Sequence, residues 1–129
     1  MVVDSSAIIA VLIQEDDADA YAQAIESVET PLISAASVVE AGIVLCARFG
    51  PAAIDDLRSF LDIGGFQVVE VTVEQSWTAL DAFVRFGKGQ NAAALNYGDC
   101  FVYALARAAD QPLLFKGGDF AKTDLEAVS

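Results

Sequence analysis

The sequence predicts an α/β fold with a mostly parallel sheet, on the basis of its chain order and its composition. Apolar runs of strand length alternate with longer segments of helical period, which is the β–α order typical of parallel sheets. The chain has 129 residues and a hydrophobic content of 55%, enough to bury roughly two-thirds of its unfolded surface in one domain. We therefore expect residues 1–129 to form a single domain.

In the first half of the chain, capping residues mark where the helices begin. Asp4 and the two serines after it are candidate caps for the first helix, and Ser34 is a candidate cap for the third. The third helix stops at Gly50 and is apolar on every side apart from Glu40, which predicts a helix in the interior. The predicted elements of this half are strand 1–3, helix 7–13, helix 16–28, strand 31–33 and helix 36–49.

In the second half, glycines and caps again delimit the elements. Gly64 and Gly65 close an amphipathic helix, and Thr72 with Gln75 fits a capping box that opens another. Asn96 is a candidate cap for the last helix. The predicted elements of this half are helix 51–63, strand 66–71, a helix from 73 to about 86, a loop over 87–91, helix 97–109 and strand 113–115.

Three acidic residues stand alone in long uncharged stretches. Asp4 is the only charged residue in 1–14, Glu40 in 30–47 and Asp99 in 89–106. A carboxylate flanked by apolar residues is desolvated on folding, which costs several kcal/mol unless it is paired or bound to a metal. No lysine or arginine lies within these stretches, so a bound cation is the expected partner.

The predicted fold brings these acids to one edge of the sheet. Asp4 and Asp119 follow strands, whereas Asp99 lies in the first turn of a helix and Glu40 about one turn into another. Sites in open parallel sheets form beyond the carboxyl ends of the strands, where the following helices begin. We expect the four carboxylates to meet there, with Asp124 as an alternative to Asp119. For Asp4 and Asp99, the alternative is a purely structural role at a helix N-terminus.

The residue types narrow the chemistry of such a site. The chain contains no histidine, which excludes a Ser-His-Asp triad and a histidine-ligated zinc site. Clustered carboxylates must share protons or hold a cation, and oxygen ligands favour Mg²⁺ or Mn²⁺. Such an ion activates water and neutralises phosphate oxygens. The predicted reaction is therefore hydrolysis of phosphodiester bonds by a cation-activated water.

Cysteine usage and the amino terminus predict a cytoplasmic protein. Cys46 and Cys100 are far apart and lack C-x-x-C spacing, which is typical of small core residues in a reducing compartment. The amino terminus has no basic region before an apolar one, and no uncharged run approaches the ~18 residues of a membrane span. We expect neither a signal peptide nor contact with a membrane.

Several segments, in chain order, carry a family resemblance. They are Val3-Asp4-Ser5-Ser6-Ala7, the isolated Glu40, Gly87-Lys88-Gly89, the stretch 95–106, the stretch 112–120 and Thr123-Asp124. Together they resemble the PIN-domain ribonucleases, specifically the VapC toxins of bacterial toxin–antitoxin pairs. The resemblance implies a three-layer α/β/α sandwich, one PIN-like domain over 1–129, Mg²⁺ or Mn²⁺ at the acids, cleavage of RNA, and inhibition by a VapB-like antitoxin.

The resemblance also implies roles for individual residues. In this family the matching catalytic and metal-binding acids are Asp4, Glu40, Asp99 and Asp119, with Ser6, Asn96 and Asp124 in supporting positions. A homodimer is expected as well. Apolar residues that are candidates for its contact, or for the antitoxin groove, are Ile8, Leu12, Val39, Ile43 and Leu45, although the core is the alternative place for each. The chain departs from many relatives at Asn91-Ala92, where they carry a His-Pro pair.

Charge places the expected RNA contacts near the carboxy-terminal half. The formal net charge of −12 argues against a general nucleic-acid binder, because phosphate binding needs clustered basic residues. Residues 85–122, however, carry most of the basic residues and two of the four candidate acids. The candidates for RNA contact are Arg85, Lys88, Lys116 and Lys122. Scattered solubilising charge is the alternative for each.

Two other classes of protein fit parts of the pattern. A receiver-type signalling domain has this length, and Lys116 after a late strand resembles its lysine, but a receiver needs an acidic pair after the first strand and Asp4 stands there alone. A haloacid-dehalogenase-like phosphatase needs D-x-D, which Asp4-Ser5-Ser6 lacks. A PIN domain that binds its partner without catalysis is the remaining alternative.

Overall fold

Within residues 1–89 and 93–128, which the computed structural model describes, a four-stranded parallel sheet forms the centre of the fold. The elements in chain order are β1 Val2–Val3, α1 Ser5–Leu12, α2 Ala18–Glu26, β2 Leu32–Ser34, α3 Ala35–Phe49, α4 Ala53–Ile63, β3 Gln67–Val69, α5 Val73–Phe86, α6 Tyr97–Ala109 and β4 Leu113–Leu114. The strand order is β3-β2-β1-β4. The two central strands therefore both end at the same edge of the sheet, next to the starts of α1 and α3.

Adjacent residues of β1 and of β4 pack into different cores, one on each side of the sheet. Val2 and Leu113 join one core, which α5 and α6 complete, while Val3 and Leu114 join the other, built from α1 to α4. This alternation is what a strand imposes, because successive side chains point to opposite faces. The predicted three-layer α/β/α sandwich is confirmed.

The predicted elements occur in the predicted order, with shifts at their ends. The first helix begins at Ser5, because Asp4 is its cap: Asp4 Oδ2 accepts a hydrogen bond from the Ser6 backbone N–H at 3.1 Å. The strand predicted over 66–71 is shorter and spans only Gln67–Val69. This strand lies at the edge of the sheet and its first two residues are exposed, so little packing holds it.

The prediction that α3 lies in the interior is wrong. Ala41 and Leu45 are buried, but Val39 and Ile43 are 60% and 63% exposed. The apolar sequence misleads because a helix that covers a sheet contacts it along one side only, and the other side of α3 faces outward. Among the residues predicted for a partner contact, Ile8 and Leu45 are in the core and are not available.

The chain between α5 and α6 is described in part. Lys88 N–H donates to the Leu95 carbonyl, and Leu95 N–H donates to the Phe86 carbonyl, each at 2.8 Å. These bonds join the end of α5 to the start of α6. Residues 90 and 91 of the loop predicted over 87–91, and the Asn91-Ala92 departure, fall outside the described residues. No described helix has the length and apolar character needed to cross a membrane, and both cysteines are free thiols.

Candidate metal site at the carboxyl edge of the sheet

Asp4 is buried at the point where β1 passes into α1. Only 5% of the residue is exposed. Its Oδ2 caps α1 and accepts a further hydrogen bond from the Ser6 hydroxyl at 2.5 Å, while its Oδ1 is buried without a partner among the described residues. Burial raises the pKa of Asp4, the Ser6 hydrogen bonds oppose that rise, and the Glu40 charge adds to it. One carboxylate oxygen thus has a structural role and the other is left for a ligand.

Glu40 reaches the same edge from α3. Its Oε1 accepts a hydrogen bond from the Ser5 hydroxyl at 2.5 Å, which joins the second turn of α3 to the first residue of α1. On its other side the carboxylate lies against Gly98: a Cβ at that position would lie 2.8 Å from the Glu40 carboxyl carbon. Glu40 is therefore held between α1 and α6.

Asp99 is buried in the first turn of α6. Asn96 and Asp99 form a reciprocal capping box, in which Asp99 N–H donates to Asn96 Oδ1 at 3.0 Å and Asn96 N–H donates to Asp99 Oδ2 at 3.1 Å. Burial raises the pKa of Asp99 to about 7, and the charges of Asp4, Asp119 and Glu40 contribute to the rise. Asp4, Asp119 and Glu40 therefore lie near enough to Asp99 for their charges to affect its pKa.

Asp119 differs from the other three because it is exposed on a loop after β4. Its neighbour Phe120 anchors that loop, being 3% exposed with its ring 5.4 Å from that of Phe115. Asp124, the alternative to Asp119, lies elsewhere: it accepts hydrogen bonds from the Tyr103 hydroxyl at 2.7 Å and from Arg85 at 3.1 Å. Asp124 is thus already paired within the chain, and Asp119 as the fourth acid stays a prediction.

Two of the four predicted RNA-contacting residues are engaged within the chain. Lys116 forms ion pairs with Glu15 and Asp17, the latter at 2.9 Å, and Arg85 pairs with Asp124. Lys88 and Lys122 are exposed. Within the described residues neither of these two lysines takes part in an ion pair. RNA contact by any of the four stays a prediction.

Ser5 and Gly98 also shape this edge, although neither was among the predicted site residues. Ser5 was a candidate cap and nothing more, yet its hydroxyl orients Glu40. Gly98 carries a signal that can be read without a structure, because a glycine in the first turn of a helix costs stability relative to alanine unless close packing requires it. The close packing here is against the Glu40 carboxylate.

The residues of this edge suit a hard divalent cation. All four candidate ligands supply oxygen, Asp4 Oδ1 lacks a partner among the described residues, and burial together with the charges of the other acids raises the pKa of Asp99. Within residues 1–89 and 93–128, no three acidic or cysteine side chains are arranged closely enough to form a complete ligand set by themselves. Mg²⁺ does not need such a set, since it keeps several waters and binds through one or two carboxylates.

Comparison with known proteins identifies the family. The PIN domain family model matches residues 1–126, and the chain therefore belongs to the PIN-domain family. Ribonuclease VapC30 of Mycobacterium tuberculosis is 43% identical over 129 residues, covering 100% of this chain and 98% of the relative. Ribonuclease VapC of Mycolicibacterium smegmatis is 43% identical over 128 residues, covering 99% of each. The predicted resemblance to the VapC branch of the family is confirmed.

Solved structures agree on the fold. The crystal structure of Mycobacterium tuberculosis VapC20, described as a toxin that cleaves the sarcin-ricin loop, matches with a TM-score of 0.80 and 18% identity, covering 98% of this chain and 97% of that one. A toxin–antitoxin complex from Klebsiella pneumoniae matches with a TM-score of 0.72 and 15% identity, covering 99% of this chain and 95% of that one.

The family assignment and the arrangement of acids exclude the receiver alternative. The Lys116 side chain pairs with Glu15 and Asp17 and not with Asp4.

Proposed function

We propose that this chain is an endoribonuclease and the toxin of a type II toxin–antitoxin pair, and that it hydrolyses RNA phosphodiester bonds with the help of Mg²⁺ or Mn²⁺. The nuclease assignment has the support of relatives that are named ribonucleases and align over the whole chain. The observation that carries the metal dependence is the buried Asp4 Oδ1, which lacks a partner in the part of the chain that the structure describes, while like charges act on Asp99. Repelling carboxylates of this kind are stable together when a cation is bound.

Each acid has a proposed place in the metal site. Asp4 and Asp99 would hold the ion directly, and Glu40 and Asp119 would complete the site directly or through water. When bound, the ion supplies an activated water and neutralises phosphate oxygens during in-line displacement. Four carboxylates replace the histidine base that this chain lacks.

Hydrogen bonds from the chain fix the orientation of these acids. The Ser6 hydroxyl donates to Asp4 Oδ2 and accepts from Lys116 N–H at 2.9 Å, so Ser6 joins α1 to the loop after β4. The Ser5 hydroxyl holds Glu40 in the same way. Because Asp4 and Asp99 each use Oδ2 for a helix cap, their positions are set by the fold before any ligand binds. Such pre-organisation lowers the cost of binding metal and substrate.

The ends of the cleaved RNA test the proposed reaction. Attack by water that expels the 3′ oxygen leaves 5′-phosphate and 3′-hydroxyl ends. A 2′,3′-cyclic phosphate would instead show that the RNA's own 2′-hydroxyl attacked, and the proposal would be wrong. Asp4→Asn and Asp99→Asn should reduce cleavage to background, with helix content by circular dichroism unchanged. A wild-type protein that cuts no RNA with either ion would refute the enzyme assignment.

Among the basic residues, Lys88 and Lys122 are the better candidates for RNA phosphates, since Lys116 and Arg85 already pair with acids of this chain. Phosphate contacts set the register of the RNA and carry little sequence information. Replacing Lys88 and Lys122 by alanine should raise KM and make the salt dependence of cleavage less steep. An unchanged salt slope would place the RNA on another surface.

An antitoxin is the partner that the family assignment supports. The site is acidic, so a lysine or arginine from another chain would pair with its carboxylates and compete with the metal. A small protein with a basic tail or helix, encoded nearby, is the expected inhibitor. Expression of this chain alone should arrest growth, co-expression of the neighbouring reading frame should relieve the arrest, and Asp4→Asn should be harmless. Harmless strong expression of the wild type would contradict the toxin proposal.

A homodimer is the further proposed assembly, with the outer face of α5 as its contact. Val73, Trp77, Leu80 and Val84 lie on this face with exposed fractions between 55% and 78%. Their spacing of four, three and four residues is that of the apolar seam of a helix pair, and the opposite side of α5 is in the core. A seam of this length on the surface needs a partner. We call these four residues the α5 seam.

A further inference from the structure

Backbone hydrogen bonds to β4 hold together the two ends of the loop that carries Asp119. Residues 115–126, which we call the C-terminal loop, form no helix or strand. Beyond them the chain returns to β4, where Leu113 N–H donates to the Glu126 carbonyl at 2.9 Å and Val128 N–H donates to the Leu113 carbonyl at 3.0 Å. These hydrogen bonds to Leu113 hold the end of the C-terminal loop beside β4, the strand from which the loop starts. Asp119 lies between the two ends.

Asp119 itself contributes nothing to fixing this loop. Its side chain is exposed, and no hydrogen bond holds it within the described residues. Its position depends on the anchors on either side. On the amino-terminal side, Lys116 N–H donates to Ser6 Oγ and the Phe120 side chain is buried. On the carboxy-terminal side, the Thr123 hydroxyl donates to the Phe120 carbonyl at 2.7 Å, which forms a turn leading to Asp124.

Side-chain hydrogen bonds of Asp124 join this turn to α5 and α6. The Tyr103 hydroxyl donates to Asp124 Oδ1 at 2.7 Å, and Arg85 donates both to Asp124 Oδ2 at 3.1 Å and to the Tyr103 oxygen at 3.3 Å. Tyr103 is 1% exposed, and the Arg85 guanidinium lies 4.7 Å from the centre of the Phe86 ring. The core therefore fixes Tyr103, whereas Arg85 lies at the surface with 45% of its side chain exposed and is held by the Phe86 ring and by its partners. We call Arg85, Tyr103 and Asp124 the Asp124 clamp.

We propose that the Asp124 clamp positions Asp119, so that Arg85 and Asp124 affect catalysis through the fourth carboxylate and make no contact with RNA. The inference rests on the proposed function. It replaces the RNA contact predicted for Arg85 from the sequence with a contact inside the protein. Tyr103 lies one helical turn after Asp99 on α6. Helix α6 therefore carries Asp99, one acid of the proposed site, and also Tyr103, whose hydrogen bond to Asp124 holds the loop that carries Asp119.

Kinetics separates a positioning role from an RNA contact. Arg85→Gln, Tyr103→Phe and Asp124→Asn should each lower kcat by roughly 10- to 100-fold, the effect of a displacement of about 1 Å at a reacting centre. The KM for RNA and its salt slope should remain those of the wild type, and Arg85→Lys should recover part of kcat. A raised KM with a less steep salt slope and an unchanged kcat would overturn the proposal, because Arg85 would then bind phosphate.

Two readouts that do not depend on cleavage complete the test. Amide hydrogen exchange in residues 117–122 should become faster in the clamp variants. Calorimetric titration with Mn²⁺ should show weaker binding, and in an Asp119→Asn background the clamp substitutions should cause no additional loss. Equal losses in both backgrounds would show that the clamp does not act through Asp119.

The matched control is Thr72→Ala, which removes the cap of α5 without touching the C-terminal loop. It lowers stability through the helix that carries Arg85, and kcat, Mn²⁺ affinity and loop exchange should remain those of the wild type. If Thr72→Ala reproduced the clamp phenotype, the effect would be one of general stability and the proposal would fall. A wild type without ribonuclease activity would refute the proposed function instead, and hydrogen exchange and Mn²⁺ binding would still decide the role of the clamp.

Discussion

Asp4 caps α1, and Asp99 is the partner of Asn96 in the capping box of α6. Such a structural role was the alternative to a metal-site role for each residue, but the two are compatible. In both residues Oδ2 accepts a hydrogen bond at the helix N-terminus, and in Asp4 the other oxygen is buried without a partner among the described residues. A carboxylate has four lone-pair sites, so one side chain can serve a helix terminus and a metal ion together.

Substitution by asparagine or by alanine should separate the two roles of Asp4. Asparagine retains an oxygen for the cap of α1 and removes the charge, whereas alanine removes both. Both variants should lose cleavage, but Asp4→Ala should be about 1 kcal/mol less stable than Asp4→Asn in metal-free urea unfolding. Equal stability of the two variants would show that the cap contributes nothing measurable.

The stability of the metal-free protein should depend on the protonation of Asp99. Burial raises its pKa from 3.8 to about 7, so between these values the folded chain holds a proton that the unfolded chain has released. The free energy of unfolding should therefore fall as the pH rises from about 4 to about 7 and change little above that. The free energy of unfolding should fall by at most about 4 kcal/mol, since one pKa unit corresponds to about 1.4 kcal/mol.

The variant Asp99→Asn isolates this effect, because it keeps an acceptor for Asn96 N–H and cannot ionise. Its stability relative to the wild type should increase with pH across the same window, as followed by urea unfolding at several pH values in the presence of a chelator. Addition of Mg²⁺ at pH 8 should stabilise the wild type and not the variant. A constant difference between the two proteins across pH 4–7 would contradict the assignment.

At the level of the elements, the contact between α3 and α6 depends on the absence of a side chain at position 98. A Cβ there would overlap the Glu40 carboxylate, so Gly98→Ala should displace Glu40 and lower kcat while the fold is kept. Glycine also occupies position 42, two residues after Glu40 on α3, where the helix lies near Leu57 of α4. There an added Cβ would lie 3.7 Å from Leu57, an ordinary contact.

Gly42→Ala is therefore the matched control. It should stabilise the protein by roughly 0.5–1 kcal/mol, because alanine loses less backbone entropy than glycine in a helix. Its cleavage rate should equal that of the wild type. If Gly98→Ala also cleaved RNA at the wild-type rate, the position of Glu40 would not matter for catalysis.

At the scale of the whole molecule, α3 and α5 both expose apolar side chains, and those of α5 form the α5 seam. The α5 seam predicts a dimer whose contact does not involve the core. Trp77→Glu and Leu80→Glu should each convert the dimer to a monomer in sedimentation equilibrium at micromolar concentration, with unchanged helix content. Ile63→Glu, on an 88% exposed residue at the end of α4, should leave the dimer intact. A monomeric wild type would refute the proposed assembly.

The order of the elements, the parallel sheet and three of the four acids could be predicted because their causes are local. Alternation of apolar runs, caps such as Asn96 and isolation of a charge within an apolar stretch are all properties of neighbouring residues. Even the edge at which the acids meet follows from a general property of parallel sheets. What sequence could not separate was Asp119 from Asp124, since both lie in one loop with the same composition.

The amino-acid sequence by itself determined the fold, the family and the oxygen-only chemistry of the site, because pattern and residue type decide them. Tertiary structure alone decided which partner each charge would meet. Arg85 and Lys116 were predicted to contact RNA, yet they pair with Asp124 and with Glu15 and Asp17, acids that are 39, 101 and 99 residues away in the chain. Tertiary structure likewise decided that Gly98 accommodates Glu40 and that one side of α3 faces outward. Pairings over such separations depend on packing, and no local pattern encodes them.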